Sequence, residues 1–291
     1  MTTSNLLHQN SNRRQFIGIT TSLSTSWIVQ QQPANAATRD PKTGILLPSI
    51  GEIESAIPQT WDDDDNPFAS SSTSSSSSSN FARLDSSDDK IFYSEPRFVE
   101  HVDQQAVDSI TSYISNRLLQ SGDSVLDLCT SWTSHISSTK LKELKRVAGL
   151  GMNAKEMESN PALTEWIVQD LNEKNKDNVK LPYNNDSFDV VLCQLSIDYL
   201  IHPLEVMKEV SRVLKPGGQV AIIISNRLFI TKAVGLWTGS DDIEHVYTVG
   251  SYLHYCGGNF SNIMAEDLST RKKKNGMIVG DPLYVITATK A

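Results

Sequence analysis

The chain has 291 residues, 38% apolar and 21% charged, with a mean hydropathy of −0.30. That is the composition of a globular protein, and no apolar run reaches the roughly 18 residues a membrane span requires. A net charge of −8 argues against a nucleic-acid backbone as main partner, because such binding needs clustered Lys and Arg. The three cysteines, Cys129, Cys193 and Cys256, make neither a zinc pattern nor a disulfide framework, and no metal site is expected.

Residues 1–39 contain no Asp or Glu. Arg13-Arg14 precede a mildly apolar stretch from Ile17 to Val29, which closes on the small-x-small pattern Ala34-Asn35-Ala36. This order resembles a twin-arginine export signal, and the Ser-rich, acid-free start also suits an organelle transit peptide. Residues 1–36 are therefore read as a targeting signal, with a disordered tail as the alternative. Residues 37–90 read as a disordered Ser/Asp-rich linker. Asp62–Asp65 is a solvated acidic run whose adjacent carboxylates cannot converge on one calcium ion. The tract Ser70–Ser79, serine except for Thr73, buries too little surface to offset its ordering entropy. Ile45-Leu46-Leu47-Pro48 is a segment that can dock locally on the domain.

The folded domain is expected over 91–291. Asp103 can cap a helix whose stripe is Val107, Ile110, Ile114 and Leu118, ended by Gly122. Val125–Cys129 is an opening strand that runs into the polar turn Thr130–His135. Leu141–Leu144 is a helical patch, Arg146–Leu150 a second strand, and Asn153 caps a short helix that stops before Asn160-Pro161. A third strand, Trp166–Gln169, ends at Asp170. Phe188–Cys193 is an apolar strand of the kind covered on both faces. Pro203 opens a helix with the stripe Leu204, Met207, Val210 and Leu214, Lys215-Pro216-Gly217-Gly218 breaks the chain, and Val220–Ile224 is a fifth strand. Two late strands, near Ser261–Leu268 and Leu283–Ala288, follow without a helix between them, and Arg271–Asn275 reads as a solvated basic turn. Strands alternating with helices predict an α/β fold, a doubly wound, mostly parallel seven-stranded Rossmann-like sheet with an antiparallel C-terminal hairpin.

Leu181-Pro182 with Ser187-Phe188-Asp189-Val190-Val191, followed at helical distance by Val213-Leu214-Lys215-Pro216-Gly217-Gly218, resembles the class I S-adenosylmethionine-dependent methyltransferases of the type-11 group. The resemblance covers about Val107 to Lys290. Asp127–His135, Gly149–Asn153 and Ile224–Arg227 are further similar to a branch of that group in photosynthetic organisms, which has a Ser- and Trp-containing loop in place of glycines.

The resemblance implies S-adenosylmethionine as cofactor, cradled by Asp127, Cys129, Thr130, Ser131 and Trp132. It places the ribose near Met152 and Asn153, the adenine at Asp170 and Leu171, and Gln194 to Tyr199 on the pocket floor. Asn153 has a second reading as a helix cap, and Trp132 one as a cover for the sheet edge. Asp198 and Tyr199 are candidates for substrate contact. Asn226 and Arg227 could meet an acidic substrate, or Arg227 could serve a surface ion pair. Cys129 and Cys193 end neighbouring strands, as core thiols or as a pair open to oxidation. His135, His202, His245 and His254 are possible bases, each read as structural because the sequence shows no orienting partner.

The usual glycines after the first strand and the usual acid after the second are both missing here. Two functions follow. One is a methyltransferase acting on a small molecule or a protein. The other is a non-catalytic member of the fold that serves binding or assembly. A nicotinamide-dependent reductase is disfavoured by the absence of G-x-G-x-x-G. The expected location is the chloroplast, with the thylakoid lumen or a bacterial-type periplasm as further destinations of the signal.

Overall fold

Apolar runs become interior strands here because both faces of the sheet are covered. The computed structural model describes residues 38–39, 46–47, 51–57, 67–68, 80–172, 174–270, 272–274 and 277–291, with backbone alone at 38–39, 46–47, 51–52, 272–274 and 277–279. The targeting signal, Asp62–Asp65 and Ser70–Ser79 lie outside the described residues.

The main sheet contains β1 (Gly51–Glu52), β2 (Ser124–Leu128), β3 (Arg146–Gly151), β4 (Glu165–Val168), β5 (Phe188–Gln194), β6 (Leu214–Ile224), β7 (Phe260–Asp267) and β8 (Tyr284–Lys290). Their spatial order is β1-β7-β8-β6-β5-β2-β3-β4. Strands β2 to β6 run parallel, and β8 lies antiparallel between β6 and β7. The seven expected strands are thus all present, with the short β1 added at the β7 edge. The other edge is β4, where Trp166, Ile167 and Val168 are partly exposed. The chain leaves β2 toward β3 and β4 on one side and returns to β5 and β6 on the other, which places a topological switch point beside β2.

The helices are α1 (Asp89–Phe92), α2 (Gln104–Tyr113, continued by a wider turn over Ile114–Leu118), α3 (Ser138–Leu141), α4 (Ala154–Glu158), α5 (Pro203–Val213) and α6 (Asp242–Tyr255). Alternation along each strand splits the core in two. Leu126, Leu128, Val191 and Ile222 pack with α5 and α6, whereas Val125, Val190, Ile223 and Val285 pack with α2. Each such side chain contributes about 1.5–3 kcal/mol by leaving water. Asp103 caps α2 by accepting from the Ala106 amide at 2.9 Å, as expected.

Three expectations are corrected. First, the domain does not begin at 91. Ile53, Ala56 and Ile57 are buried in the main core, because Gly250 of α6 leaves room for them: a Cβ there would lie 2.8 Å from Ile53 Cδ1. Residues 80–90 are also part of the domain, tied on by Lys232, which is wholly buried against Asp85 and Asp89. Leu46–Leu47 pairs with Thr38–Arg39. Second, Lys215–Gly218 does not separate helix from strand but forms a bulge within β6, where the pairing with β5 shifts register and Gly217 takes φ +75°. Third, Lys272–Lys274 is a strand rather than a turn. It pairs with Met277–Val279, and the Asn275-Gly276 that separates them in sequence is a two-residue hairpin signature. Helix α6, which no sequence pattern pointed to, shows no apolar stripe because Ile243 and the run His245 to Leu253 are all buried, yet it carries a capping box. Asp241 accepts from the Ile243 and Glu244 amides, and Glu244 accepts from the Asp241 amide.

Candidate cofactor and acceptor cleft

At the switch point the carboxyl ends of β2 to β6 open into a cleft of about 310 Å3, roofed by residues 93–101. All ten candidate cofactor residues line it: Asp127, Cys129, Thr130, Ser131 and Trp132 after or within β2, Met152 and Asn153 after β3, Asp170 and Leu171 after β4, and Gln194 at the end of β5. Tyr199 and Arg227 line it too. Asp198 and Asn226 do not. Asp198 turns inward with 5% exposure, and burial pushes its carboxyl up to about 8. Asn226 faces a second cavity beside Trp237 and Asp241. Arg227 pairs with Asp281 at 2.8 Å.

The loop after β2 keeps a glycine-like backbone without glycine. Cys129 has φ +57°, and His135 and Leu195, also in the cleft, have φ +48° and +52°. Non-glycine residues in this region are uncommon, and they cluster where surrounding structure holds strain for a purpose. Side-chain hydrogen bonds hold the loop. Thr130 Oγ1 donates to Asp127 Oδ2 at 2.6 Å, Ser131 Oγ donates to Glu156 Oε2 at 2.6 Å, and Asn160 Nδ2 donates to the Ser131 carbonyl at 2.9 Å. Trp132 Nε1 donates to the Val99 carbonyl, so this ring ties the loop to the roof. The close approach that a loop glycine would permit is instead permitted by Gly151 on β3, where a Cβ would collide with the Thr130 carbonyl.

Asn153 is the cap of α4. Its Oδ1 accepts from the Lys155 and Glu156 amides, and its Nδ2 donates to the carbonyls of Tyr93 and Ser94. The carboxylate near the end of β3 is Glu156, buried at 8% exposure, which sequence reading passed over because it lies inside α4 rather than at the strand end. It also accepts from the Arg97 amide at 2.6 Å.

Of the four candidate histidines, His135 alone lies in this cleft. Its Nδ1 is 2.9 Å from Gln194 Oε1 and its Nε2 is 3.1 Å from Glu100 Oε2. Burial alone would lower its pKa, but the hydrogen bonds to Glu100 and Gln194 outweigh burial and hold it above the ordinary histidine value. Asp127, fully enclosed, is pushed up by burial against the hydrogen bonds from Ser134, Thr130 and Gln194. His245 stacks on Trp237 and bonds its carbonyl, and His254 meets Glu54 at 3.1 Å. His202 sits at the N-cap of α5. Cys129, Cys193 and Cys256 are free thiols.

Part of the cleft lining is aromatic. His101 and Tyr199 lie 5.2 and 6.0 Å from the Phe229 ring, and the Arg97 guanidinium covers the rings of Phe92 and Phe229 at 4.4 and 5.4 Å. Five carboxylates, Asp89, Glu100, Asp127, Glu156 and Asp170, line the same cleft as four basic side chains, Arg97, His101, His135 and Arg227. Such a lining favours a ligand of net positive charge.

Residues 129–222 match a family model described as Methyltransferase domain. The segment is a methyltransferase domain. The sheet has the α/β architecture expected from the resemblance, and S-adenosylmethionine is the cofactor that the family match implies. Curated relatives include a malonyl-[acyl-carrier protein] O-methyltransferase of Marinomonas, 35% identical over 24% of this chain and 26% of that protein. Another is the chloroplastic 2-phytyl-1,4-beta-naphthoquinone methyltransferase of Arabidopsis thaliana, 29% identical over 36% of this chain and 43% of that protein. The matches therefore span from about a quarter to under half of these relatives. Among solved structures, a phosphoethanolamine N-methyltransferase of Haemonchus contortus is 13% identical with a TM-score of 0.41, covering 64% of this chain and 52% of that one.

The cleft fits the cofactor. It is within the usual size range of ligand sites, its acidic lining complements a sulfonium and an amine, and the carboxylates of Glu156 and Asp170 line it together with apolar Leu171 and Met152. Each Glu156 oxygen has one donor in place and retains accepting capacity.

Proposed function

We propose that this chain binds S-adenosylmethionine in the cleft and methylates a small molecule that contains a flat ring. The observation that carries this reading is the presence, within one cleft, of the carboxylates Glu156 and Asp170 together with the aromatic cluster of His101, Tyr199 and Phe229. Asp170 and Leu171 take the adenine, Glu156 the ribose hydroxyls, and Asp127 with the Cys129–Trp132 loop the methionine part. When bound, the cofactor supplies an electrophilic methyl group. The protein's contribution is mainly alignment and exclusion of water. The relative named for a phytyl naphthoquinone is consistent with a ring acceptor.

A second reading, a non-catalytic binding or assembly module, is favoured by the side chains of Thr130, Ser131 and Asn153, which are already bonded within the fold. Calorimetric and thermal-shift titration of the full chain with S-adenosylmethionine and S-adenosylhomocysteine separates the two. Ligand at a thousandfold over Kd should stabilise the fold by about 4 kcal/mol. The absence of heat and of shift would leave the binding-module reading. For location we propose the chloroplast, on the strength of the acid-free start with Arg13-Arg14 and of the chloroplastic relative.

A further inference from the structure

We propose that His135 is the general base of the reaction, aimed by Gln194 and released by Glu100, and that the acceptor is therefore a ring compound with an ionisable hydroxyl. This rests on the cofactor reading above.

The geometry fixes which nitrogen can take a proton. Gln194 Nε2 lies 3.1 Å from the Ser134 carbonyl, an atom that only accepts, so this end of the side chain is the donating NH2. The same group donates to Asp127 Oδ1 at 3.1 Å. Gln194 Oε1 is thereby turned toward His135 Nδ1, which must carry a hydrogen to meet it at 2.9 Å. The neutral imidazole is left with its lone pair on Nε2. Asp127, held in turn by Thr130, orients the amide that orients the ring. Asp127 and Gln194 are positioning residues.

Nε2 faces Glu100, which belongs to the roof. The His135 side chain is 7% exposed and that of Glu100 is 32% exposed, so the ring is fixed in the protein and its partner reaches solvent. Glu100 adjoins His101, one wall of the aromatic seat. A hydroxyl carried on a ring in that seat can take the place of the Glu100 carboxylate on Nε2. Charged groups facing His135 are Glu100 from the roof and Asp127 from below. Loss of the Glu100 contact weakens the imidazolium and leaves a neutral base ready for the acceptor.

The hydroxyl proton moves to Nε2. The acceptor oxygen keeps the electron pair of the broken O–H bond and uses it for the new bond to the methyl carbon, while the pair of the carbon–sulfur bond stays on sulfur. The proton then leaves from Nε2 to water, with Glu100 returning to its place. A base is required only because the acceptor carries a proton, which is why the assignment names its class.

The test uses the full chain, 15N-labelled at histidine and saturated with S-adenosylhomocysteine, with 4-nitrophenol as probe. Long-range proton–nitrogen spectra should show neutral His135 with its hydrogen on Nδ1. Glu100→Gln should lower the His135 titration midpoint. With the probe, the wild type should generate phenolate absorbance at a pH where the free phenol is mostly protonated, and His135→Gln should lose that signal. A hydrogen on Nε2 in the neutral ring overturns the proposal, and so does a phenolate signal that is absent or unaffected by His135→Gln. Should His135→Gln fail to fold, the half-exposed roof variant Glu100→Gln decides, and an unmoved midpoint overturns the proposal. Failure of S-adenosylhomocysteine to shift the wild-type melting temperature refutes the cofactor reading instead, and the tautomer result stands apart from it.

Discussion

Gly151→Ala is the substitution that most directly tests how the cofactor loop is held. A Cβ at this position would collide with the Thr130 carbonyl and would lie 3.1 Å from Met157 Sδ. The thioether can swing away, but the carbonyl is backbone, and it is held from the neighbouring strand by the Thr130 amide donating to the Leu150 carbonyl at 2.9 Å. Relief therefore requires moving the loop itself. The expected cost is about 3 kcal/mol, the upper end for overpacking. Gly149→Ala on the same strand provides the comparison. Its Cβ would meet Leu163 Cδ1 at 2.6 Å and Thr130 Cγ2 at 2.8 Å, both ends of side chains that can rotate, so about 1–2 kcal/mol is expected. Urea unfolding of the two variants, read at constant m-value, measures the difference, and calorimetry with S-adenosylhomocysteine reads loop displacement. Gly151→Ala within about 0.5 kcal/mol of wild type, or less damaging than Gly149→Ala, would refute the reasoning.

Glu156→Ala removes the acceptor of the Ser131 hydroxyl and the Arg97 amide, and should cost about 2–3 kcal/mol and speed hydrogen exchange at the Arg97 amide. Lys232→Met leaves the buried Asp89 with Arg83 and Asn172 as donors, and should cost about 3 kcal/mol in chemical denaturation. Asp198 has a folded pKa of about 8 against an ordinary 3.8, raised by burial, so it binds its proton more tightly when folded. Its contribution to stability is full below the ordinary value and falls as pH rises toward 8, at up to about 1.4 kcal/mol per pH unit. Asp198→Asn should flatten that slope, and an unchanged pH–stability profile would contradict the assignment. The His245 imidazole is pushed down to about 4 by burial, so its contribution is present above the ordinary 6.5 and lost as pH falls through 4; His245→Gln should reduce acid sensitivity in that window.

The sheet was legible because Val125–Leu128, Phe188–Cys193 and Val220–Ile224 are apolar runs that stay runs whichever face they present. The positions of Cys129, Thr130, Asp170 and Gln194 in the cleft were implied by the family resemblance, which puts binding groups at the ends of strands. Contacts across the fold were not legible. Glu100 and Gln194 are 35 and 59 residues from His135, and nothing local announces them. Helix α6 escaped because its apolar residues encircle it and erase the 3.6-residue stripe, although Asp241 and Glu244 spell out a capping box. The docking of Ile53 and Ile57 was hidden for a different reason: a few apolar residues in a polar stretch look like a linker until Gly250 supplies their seat.

The positive-φ residues Cys129, His135 and Leu195 carry a consequence for laboratory evolution. Each holds a conformation that costs an L-residue about 1–2 kcal/mol, which glycine or asparagine would relieve. A library selected only for heat resistance should therefore accumulate Gly and Asn at these three positions early. The enriched sites would outline the cleft without any knowledge of a substrate, and the survivors would reveal, by the activity they lose, how much of that tension the protein keeps for use.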